Sequence, residues 1–192
     1  MTQAVVYRLR HGETEWNVQQ RPQGRLDSPL TELGWQQAAR SAQQLSNIPF
    51  VRAYTSPLGR ARLSAERVLA DRGVTLNVLD DLAELDWGEV AGLSTAERET
   101  RFPELKAARR ADKFGAVFPG GESYASACPR AERAARQICD DGPGAVLVMG
   151  HEMINRLLRM ELCGLEPENA LQLAHPHGAV YVIQSGTETT FR

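Results

Sequence analysis

The triplet Arg10-His11-Gly12 combines three residue types that suit attack on a phosphorus atom, and it follows an apolar run at residues 4–7. A histidine side chain can form a covalent intermediate. Arginine offers a planar fork of donors that fits phosphate oxygens, and glycine lets backbone N–H groups approach an anion closely. The triplet therefore predicts a phosphate site at the end of a strand. A charged strand end that faces water is the alternative interpretation.

Cations and imidazoles follow two further predicted strands. Arg60 lies shortly after the segment 51–55, and His151 lies just after the segment 145–149. In open α/β sheets, ligands bind beyond the carboxyl ends of the strands, and helix N-termini favour anions. We therefore expect both side chains to share one rim of the sheet with His11.

The elements that must position these side chains form an α/β pattern, because apolar β-rich segments alternate with helical ones. The predicted strands are residues 4–9, 51–55, 75–79, 145–149, 179–184 and 187–191. The predicted helices are residues 31–45, 56–71, 122–139 and 152–163, with shorter ones beginning near Ser94 and Pro103. Thr31 and Ser56 are the expected N-caps of the first two helices, and Gly164 is expected to end the helix 152–163.

The composition is typical of a soluble, single-domain protein over residues 1–192, with 42% hydrophobic residues, 24% charged residues and a net charge of −2. The charges form no basic cluster, which argues against a nucleic-acid partner. No apolar run reaches membrane-spanning length and no signal-peptide pattern is present, so we expect no membrane partner. Three cysteines without metal-ligand spacing predict reduced thiols and a cytoplasmic location.

Six short motifs occur along the chain, and together they span nearly all of it. They are Arg10–Thr14 with Asn17, Gln23–Thr31 with Gly34, Ser56–Ala61, Leu82–Gly88, Pro119–Ser123 and Met149–His151. In order and residue type they resemble the histidine phosphatase superfamily, the phosphoglycerate-mutase-like enzymes. The resemblance implies a three-layer α/β/α sandwich with a mostly parallel central sheet.

The resemblance also gives each polar residue of the predicted site a role. It implies that His11 is the nucleophile, which forms a phosphohistidine. Arg10, Arg60 and His151 would hold the phosphoryl oxygens and offset their charge, since positioning and electrostatics dominate phosphoryl transfer. Glu84 would protonate the leaving alkoxide and then act as the base on the attacking water.

Glu84 is selected by the motif match rather than by chain position. On position alone, three neighbouring carboxylates compete with it: Asp80, Asp81 and Asp86. Partial burial of Glu84 beside Trp87 would favour the protonated form that a general acid needs.

Further substrate contacts are expected from Asn17 and from the backbone of Gln23 and Gly24, although ordinary loop polarity explains such residues as well. Glu152 departs from the family pattern, in which glycines follow the second histidine. Because its charge would repel phosphate, we expect only the backbone N–H of Glu152 to point into the pocket.

No metal and no cofactor are expected, because arginines and imidazoles supply the positive charge. The pair His175 and His177 invites a metal interpretation. Since no cysteine or carboxylate lies nearby at ligand spacing, a turn before the strand 179–184 is the preferred interpretation.

The segment from about residue 80 to residue 121 is interpreted as a lid-like insertion that covers the pocket of a small molecule. Its aromatic residues are candidate pocket walls, although core packing is the commoner fate of such side chains. They are Trp87, Phe102, Phe114 and Phe118.

Two departures from the mutases of this family favour a phosphatase that acts on a small phosphorylated metabolite. The chain has Pro22–Arg25 where mutases carry Phe-Thr-Gly-Trp, and Thr95 where they carry lysine. Against this, Arg109 and Arg110 fall near the mutase arginine pair. Adjacent helical residues point about 100° apart, so both cannot face one pocket equally, and a solvated helix face is equally acceptable.

Other assignments stay open at this point. A phosphoglycerate mutase is the first alternative to the phosphatase, and a noncatalytic module that binds phosphorylated ligands is the second. The chain is compatible with a homodimer. The particular phosphate ester is not encoded in any motif.

Overall fold

A six-stranded sheet runs through the centre of the structure, a computed structural model that describes residues 4–70, 72–172 and 174–191. The strands are β1 (Ala4–Arg10), β2 (Phe50–Thr55), β3 (Leu76–Val78), β4 (Gly144–Gly150), β5 (Val180–Gln184) and β6 (Thr187–Thr190). Their order is β3-β2-β4-β1-β5-β6. The first four of these are paired in parallel and the last two are antiparallel. The predicted mostly parallel sheet is therefore confirmed.

β1 and β4 pair in unbroken register from Ala4 opposite Gly144 to Arg10 opposite Gly150. Both strands therefore end at the same level of the sheet, and the next residue of each chain segment is a histidine. The amide of His11 donates to the carbonyl of Gly150 across 3.1 Å. This register places His11 and His151 side by side, as their positions after two strands predicted.

Helices cover both faces of the sheet, so the predicted three-layer α/β/α arrangement is confirmed. The helices are α1 (Glu15–Val18), α2 (Glu32–Gln44), α3 (Gly59–Leu69), α4 (Thr95–Arg101), α5 (Pro103–Ala111), α6 (Tyr124–Asp140), α7 (Glu152–Cys163) and α8 (Pro167–Gln172). Successive strand residues point to opposite faces. In β4, Leu147 and Met149 pack with Val68 of α3, whereas Val146 packs with Ile138 of α6.

Most predicted helix ends agree with the structure, and one does not. The Thr31 side chain accepts from the amide of Gly34 as the N-cap of α2, and Gly164 ends α7 in the left-handed conformation with φ 61°. Ser56 does not cap α3, which begins at Gly59 without a side-chain cap. Ser56 is still tied to the sheet, because its amide donates to the carbonyl of Met149.

Two short helices were not predicted, namely α1 and α8. Each has six residues or fewer, too few for a repeating apolar pattern. The predicted helix 122–139 is Tyr124–Asp140, with Ser123 as its N-cap. The remaining boundaries differ from the prediction by one or two residues, which is the usual uncertainty of helix and strand ends.

The segment 80–121 consists of two 3₁₀ turns, Asp80–Leu82 and Gly88–Val90, followed by α4 and α5. Its apolar side chains are fully buried at Leu82 and Phe118. The ring of Trp87 stacks on Phe118 at a centroid distance of 4.2 Å. The segment is thus anchored to the core of the domain, since Leu82 packs in a cluster with Tyr54 of β2 and Phe118 packs in a cluster with Ile154 of α7.

Within the described residues, no helix is long and apolar enough to cross a membrane. The three cysteines are free thiols, as predicted: Cys128 and Cys163 are half-buried and Cys139 is exposed. All three belong to helices, where none contacts the polar residues of the predicted site.

Candidate active site

His11 is buried at the end of β1, with 3% of its surface exposed, and the main chain fixes its tautomer. Its Nδ1 lies 2.7 Å from the carbonyl oxygen of Gly12. A carbonyl only accepts hydrogen bonds, so Nδ1 carries the proton. The other ring nitrogen, Nε2, therefore keeps its lone pair, which is the form that a nucleophile requires.

Burial and two nearby guanidinium groups keep the His11 ring neutral. Desolvation, followed by the charges of Arg60 and Arg10, lowers the pKa of His11 well below its ordinary value of 6.5. The Gly12 contact opposes this shift without reversing it. At neutral pH the imidazole is consequently unprotonated at Nε2 and chemically available.

Arg60 lies in the first turn of α3 and connects His11 to the loop 24–27. Its Nε donates to His11 Nε2 across 3.3 Å. Its two terminal nitrogens donate to the carbonyl of Gly24, at 2.9 Å, and to that of Leu26, at 2.7 Å. Asp27 adds a 2.9 Å ion pair. These contacts hold the Arg60 guanidinium against Nε2 of His11.

Arg10, the residue before His11, is held by Glu152. Arg10 Nη1 donates to Glu152 Oε2 at 2.8 Å and to the carbonyl of His175 at 3.0 Å. The second oxygen of Glu152 accepts from Arg156 at 2.6 Å. The expectation that Glu152 offers only its backbone is therefore wrong, because its carboxylate bridges two arginines that offset its charge.

His151 is fully buried and packs beside His11, although it does not itself line the cavity. The centroids of the His11 and His151 rings are 5.0 Å apart. His151 Nε2 lies 2.7 Å from the Ser56 hydroxyl, while its Nδ1 has no partner among the described residues. Burial and the charge of Arg60 lower the pKa of His151 well below 6.5, so this ring is also neutral.

Glu84 is buried, with 7% of its surface exposed, and the backbone at the start of α7 holds its carboxylate. Oε1 accepts from the amides of Leu85 and Ile154, both at 3.0 Å, and Oε2 accepts from Met153 at 3.1 Å. The predicted burial is confirmed. Three amide donors thus fix the position of this carboxylate at the start of α7.

The further substrate contacts expected from the sequence also lie beside His11 and Arg60. They are Asn17, Gln23 and Gly24. Asn17 Oδ1 accepts from the amide and hydroxyl of Thr14 in the capping box of α1, which leaves its NH₂ group for other contacts. Gln23 donates to Thr14 across 2.7 Å. Gly24 adopts φ 54°, and a Cβ there would meet the amide of Trp87, so this position requires glycine.

These residues enclose one cavity of about 270 Å³. Its walls include eight of the nine predicted site residues, and His151 lies just beneath it. Five arginines and two carboxylates line it. The arginines are Arg10, Arg21, Arg60, Arg109 and Arg156. This excess of positive charge favours an anionic ligand with more than one charged oxygen.

Two of these arginines, Arg21 and Arg156, were not predicted. Arg156 lies one turn after Glu152 on α7, and residues four apart share a helix face. That spacing is a signal the sequence contains. Arg21 lies in the loop after α1 and carries no comparable periodic signal.

Of the adjacent pair in α5, only Arg109 reaches the cavity, as the geometry of a helix predicted. Its guanidinium lies 4.3 Å from the centroid of the Phe118 ring. Arg110 is exposed. Among the candidate aromatic walls, Trp87 lines the cavity, whereas Phe118 belongs to the core behind it.

The remaining two candidate walls, Phe102 and Phe114, pack against that same core and do not line the cavity. Their hydrophobic surface packs against the cluster that Phe118 forms with residues of α6 and α7, which explains why they are absent from the cavity walls.

The predicted turn before β5 contains His175 and His177, which contact residues at the end of β1. His177 Nδ1 donates to the backbone carbonyl of His11 across 2.6 Å. His175 Nδ1 accepts from Arg8 at 2.8 Å and from Asn155 at 3.0 Å. In the described part of the chain no group of histidine, cysteine and carboxylate side chains has the arrangement of a metal site.

Comparison with known proteins matches this geometry to a family. A profile of the histidine phosphatase superfamily (branch 1) matches residues 6–191. The chain belongs to this superfamily. The match covers every element that contributes to the cavity, from β1 to the strands after the turn 175–178.

Individual members of the superfamily differ in the activity that their names state. The probable phosphoglycerate mutase GpmB of Cronobacter sakazakii is 35% identical over 164 residues, which are 83% of this chain and 75% of that protein. The bifunctional protein Rv2228c of Mycobacterium tuberculosis is 40% identical over 159 residues. The match covers 80% of this chain but 43% of that longer protein.

Among solved structures, the alpha-ribazole phosphatase of Shigella flexneri superposes with a TM-score of 0.87 at 26% sequence identity. The superposition covers 98% of this chain and 94% of the Shigella chain. The superfamily thus includes both phosphatases and mutases among the relatives of this chain, and both classes transfer phosphoryl groups.

Proposed function

We propose that this superfamily member is a phosphomonoester hydrolase that acts on a small phosphorylated metabolite through a phosphohistidine on His11. The observation that carries the proposal is the fixed tautomer of His11. Nδ1–H is held by the Gly12 carbonyl, so the neutral ring presents Nε2 beside Arg60 inside a cationic cavity.

In the first step the Nε2 lone pair of His11 attacks phosphorus, and the bond between phosphorus and the ester oxygen breaks. Arg10 and Arg60 offset the charge on the phosphoryl oxygens as the reacting groups separate. The departing alkoxide takes a proton from Glu84. The products of this step are a phosphohistidine and a free alcohol.

The contacts of Glu84 indicate which oxygen handles the proton. A carboxylate offers about four lone-pair sites. The amides of Leu85 and Ile154 occupy two sites on Oε1, whereas Oε2 accepts only from Met153. The free site on Oε2 is therefore the position at which Glu84 would carry and deliver its proton.

In the second step a water molecule attacks the phosphohistidine. Glu84, now ionised, accepts a proton from that water, and three amide donors stabilise this ionised form. The bond between phosphorus and Nε2 breaks, and the ring returns to its neutral tautomer. Inorganic phosphate leaves, and Glu84 is again protonated for the next cycle.

The proposed enzyme has a lid over its site and a cytoplasmic location. The segment 80–121 acts as the lid of the site, because it contributes Trp87 and Arg109 to the cavity walls. The free thiols fit a reducing, cytoplasmic location. Whether two copies associate is a separate question, which sedimentation measurements address.

A phosphoglycerate mutase is the second candidate, and one observation favours it. Arg109 lines the cavity with its guanidinium packed over the Phe118 ring, where its charge suits a second acidic group of the substrate. A mutase would keep a bisphosphate bound and return the phosphoryl group to it. The loop Pro22–Arg25 and Thr95 favour the hydrolase instead.

The test measures phosphate release from a panel of phosphomonoesters in the presence of EDTA, for the wild type and for His11→Ala. Hydrolysis by the wild type that disappears in His11→Ala supports the proposal. An acid-labile, base-stable phosphoryl label on the wild type, absent from the variant, identifies the intermediate. Hydrolysis that survives in His11→Ala overturns the mechanism.

A second assay separates the two candidate activities. It uses 3-phosphoglycerate with and without 2,3-bisphosphoglycerate and follows both isomerisation and free phosphate. Isomerisation that requires the bisphosphate and releases no phosphate would establish the mutase. Phosphate release without isomerisation would establish the hydrolase.

A further inference from the structure

A second cavity, of about 210 Å³, lies between α7, α8 and the last two strands. Among the residues that line it, only Arg156 also lines the active-site cavity. It is smaller than the pockets that hold drug-sized ligands, which measure roughly 300–1,000 Å³. Its size suits a small ion with a few water molecules.

The charged residues of this second cavity are unbalanced. Three arginines line it, Arg8, Arg156 and Arg159, against one carboxylate, Glu188. Arg8 Nη2 lies 2.6 Å from one oxygen of Glu188, and Arg159 Nε lies 2.9 Å from the other. Arg8 and Arg159 thus share a single buried carboxylate, whereas Arg156 pairs with Glu152, so one positive charge of the Arg8 and Arg159 pair remains uncompensated within the cavity lining.

His175 adds a hydrogen-bond donor whose orientation the structure determines. Its Nδ1 receives both Arg8 Nη1 and Asn155 Nδ2, so this nitrogen is the unprotonated one. The proton therefore resides on Nε2. The His175 side chain is 2% exposed, and its Nε2 has no partner among the described residues.

Two more buried donors of this cavity have no acceptor in the described part of the chain. They are Arg8 Nε and Arg159 Nη1, and Arg159 Nε joins them, because its ion pair with Glu188 lacks hydrogen-bond geometry. Buried polar groups are almost always hydrogen-bonded, because an unpaired one has lost its contacts with water. Each of these unpaired nitrogens on the cavity lining is a donor, so the missing partner must accept hydrogen bonds, as the oxygens of an anion do.

We propose that this cavity is a second anion site, which binds a small oxyanion such as inorganic phosphate. The oxyanion would accept from His175 Nε2, Arg8 Nε and Arg159 Nη1, and it would neutralise the excess charge. The site requires nothing of the chemistry at His11, so it stands or falls independently of the proposed hydrolase activity.

The test is equilibrium dialysis of the full chain against radiolabelled inorganic phosphate up to millimolar concentration. Arg60→Ala removes the guanidinium that binds phosphate beside His11. One equivalent of phosphate should therefore remain, bound in the second cavity. Arg159→Gln should also leave one equivalent, bound at His11. The double variant should bind none. Arg136→Gln, which removes an exposed arginine of α6, is the matched control and should bind as the wild type does.

A second variant keeps the test informative if Arg159→Gln folds poorly. Thr190 is exposed and shares a strand face with Glu188, two positions earlier. Thr190→Glu would place a carboxylate at the cavity mouth as an internal acceptor. In the Arg60→Ala background it should abolish the remaining equivalent and the rise in melting temperature that phosphate causes. No bound phosphate and no such rise in Arg60→Ala would overturn the proposal.

Discussion

The imidazole of His177 donates a hydrogen bond of 2.6 Å to the backbone carbonyl of His11, so one histidine holds the main chain of another. The two rings also pack at a centroid distance of 5.2 Å. His177 does not line the cavity. We therefore expect His177 to act as a positioning residue, which fixes the backbone from which the proposed nucleophile His11 extends.

Replacing His177 should lower kcat and leave KM nearly unchanged. Loss of the hydrogen bond in His177→Ala frees the His11 backbone, and displacement by a fraction of an ångström costs roughly 10- to 100-fold in rate. His177→Gln can donate through its amide and should recover part of the loss. Steady-state kinetics on p-nitrophenyl phosphate check both variants. Equal kcat in the wild type and His177→Ala would contradict the positioning role.

Glu84→Gln should slow turnover of alkyl phosphates by about 10²- to 10⁴-fold, the usual contribution of a general acid–base residue. The variant should accumulate phosphohistidine with p-nitrophenyl phosphate, whose leaving group needs no proton, because the second step still lacks its base. Rapid quench and isolation of the labelled protein measure this.

Asp86→Asn is the matched control for Glu84→Gln. The Asp86 carboxylate accepts from the amide of Gly88 and does not line the cavity. It should therefore keep the turnover rate of the wild type. A large loss in Asp86→Asn with none in Glu84→Gln would reassign the acid to another carboxylate of this segment.

Arg109→Ala should raise KM for a substrate with a second acidic group, such as 3-phosphoglycerate, by roughly 10-fold or more, the value of one charge-assisted hydrogen bond. KM for p-nitrophenyl phosphate, which lacks that group, should not change. Arg110→Ala, one position along and exposed, should affect neither substrate. Identical kinetics for the two variants would show that Arg109 does not contact the substrate.

Stability should fall as the solution is acidified below pH 6.5, because the buried histidines fold in their neutral form. Burial, followed by the charge of Arg10, lowers the pKa of His177 from 6.5 to about 4. Between these values the unfolded chain binds a proton that the folded chain does not, so the stabilisation is complete above pH 6.5 and is lost toward pH 4.

The His177 contribution to this slope is on the order of 3 kcal/mol. His177→Gln removes the titrating group and should therefore lose less stability than the wild type over the same pH range. Urea unfolding above pH 6.5 and near pH 4 measures the difference. A variant whose free energy of unfolding falls as steeply as that of the wild type would refute this account.

The parts of the fold that the sequence predicted were those encoded locally. The end of β1 at Arg10 and the left-handed turn at Gly164 follow from short patterns, since strand ends and helix caps depend on neighbouring residues. Ser56 shows the limit of such patterns. Its cap-like position before a proline is overridden by pairing with β4, which keeps Ser56 extended.

The side-chain contacts within the candidate site could not be predicted from the sequence, because they join segments that are far apart along the chain. No local pattern indicates that Glu152 would receive Arg10 or that Leu85, Met153 and Ile154 would hold Glu84. The Glu152 carboxylate, which was expected to avoid the pocket, lies there because Arg10 and Arg156 offset its charge. Such compensation depends on the folded arrangement and not on residue type alone.

The bond between His177 and His11 spans 166 positions, and Arg10 reaches the carbonyl of residue 175 from 165 positions away. During translation His11 is therefore synthesised long before His175 and His177, whose contacts hold the end of β1. A half-made chain already contains the whole Arg10–Thr14 motif and still has no finished catalytic centre. Until translation has passed residue 177, the main chain of His11 therefore lacks the hydrogen bond that His177 donates to it.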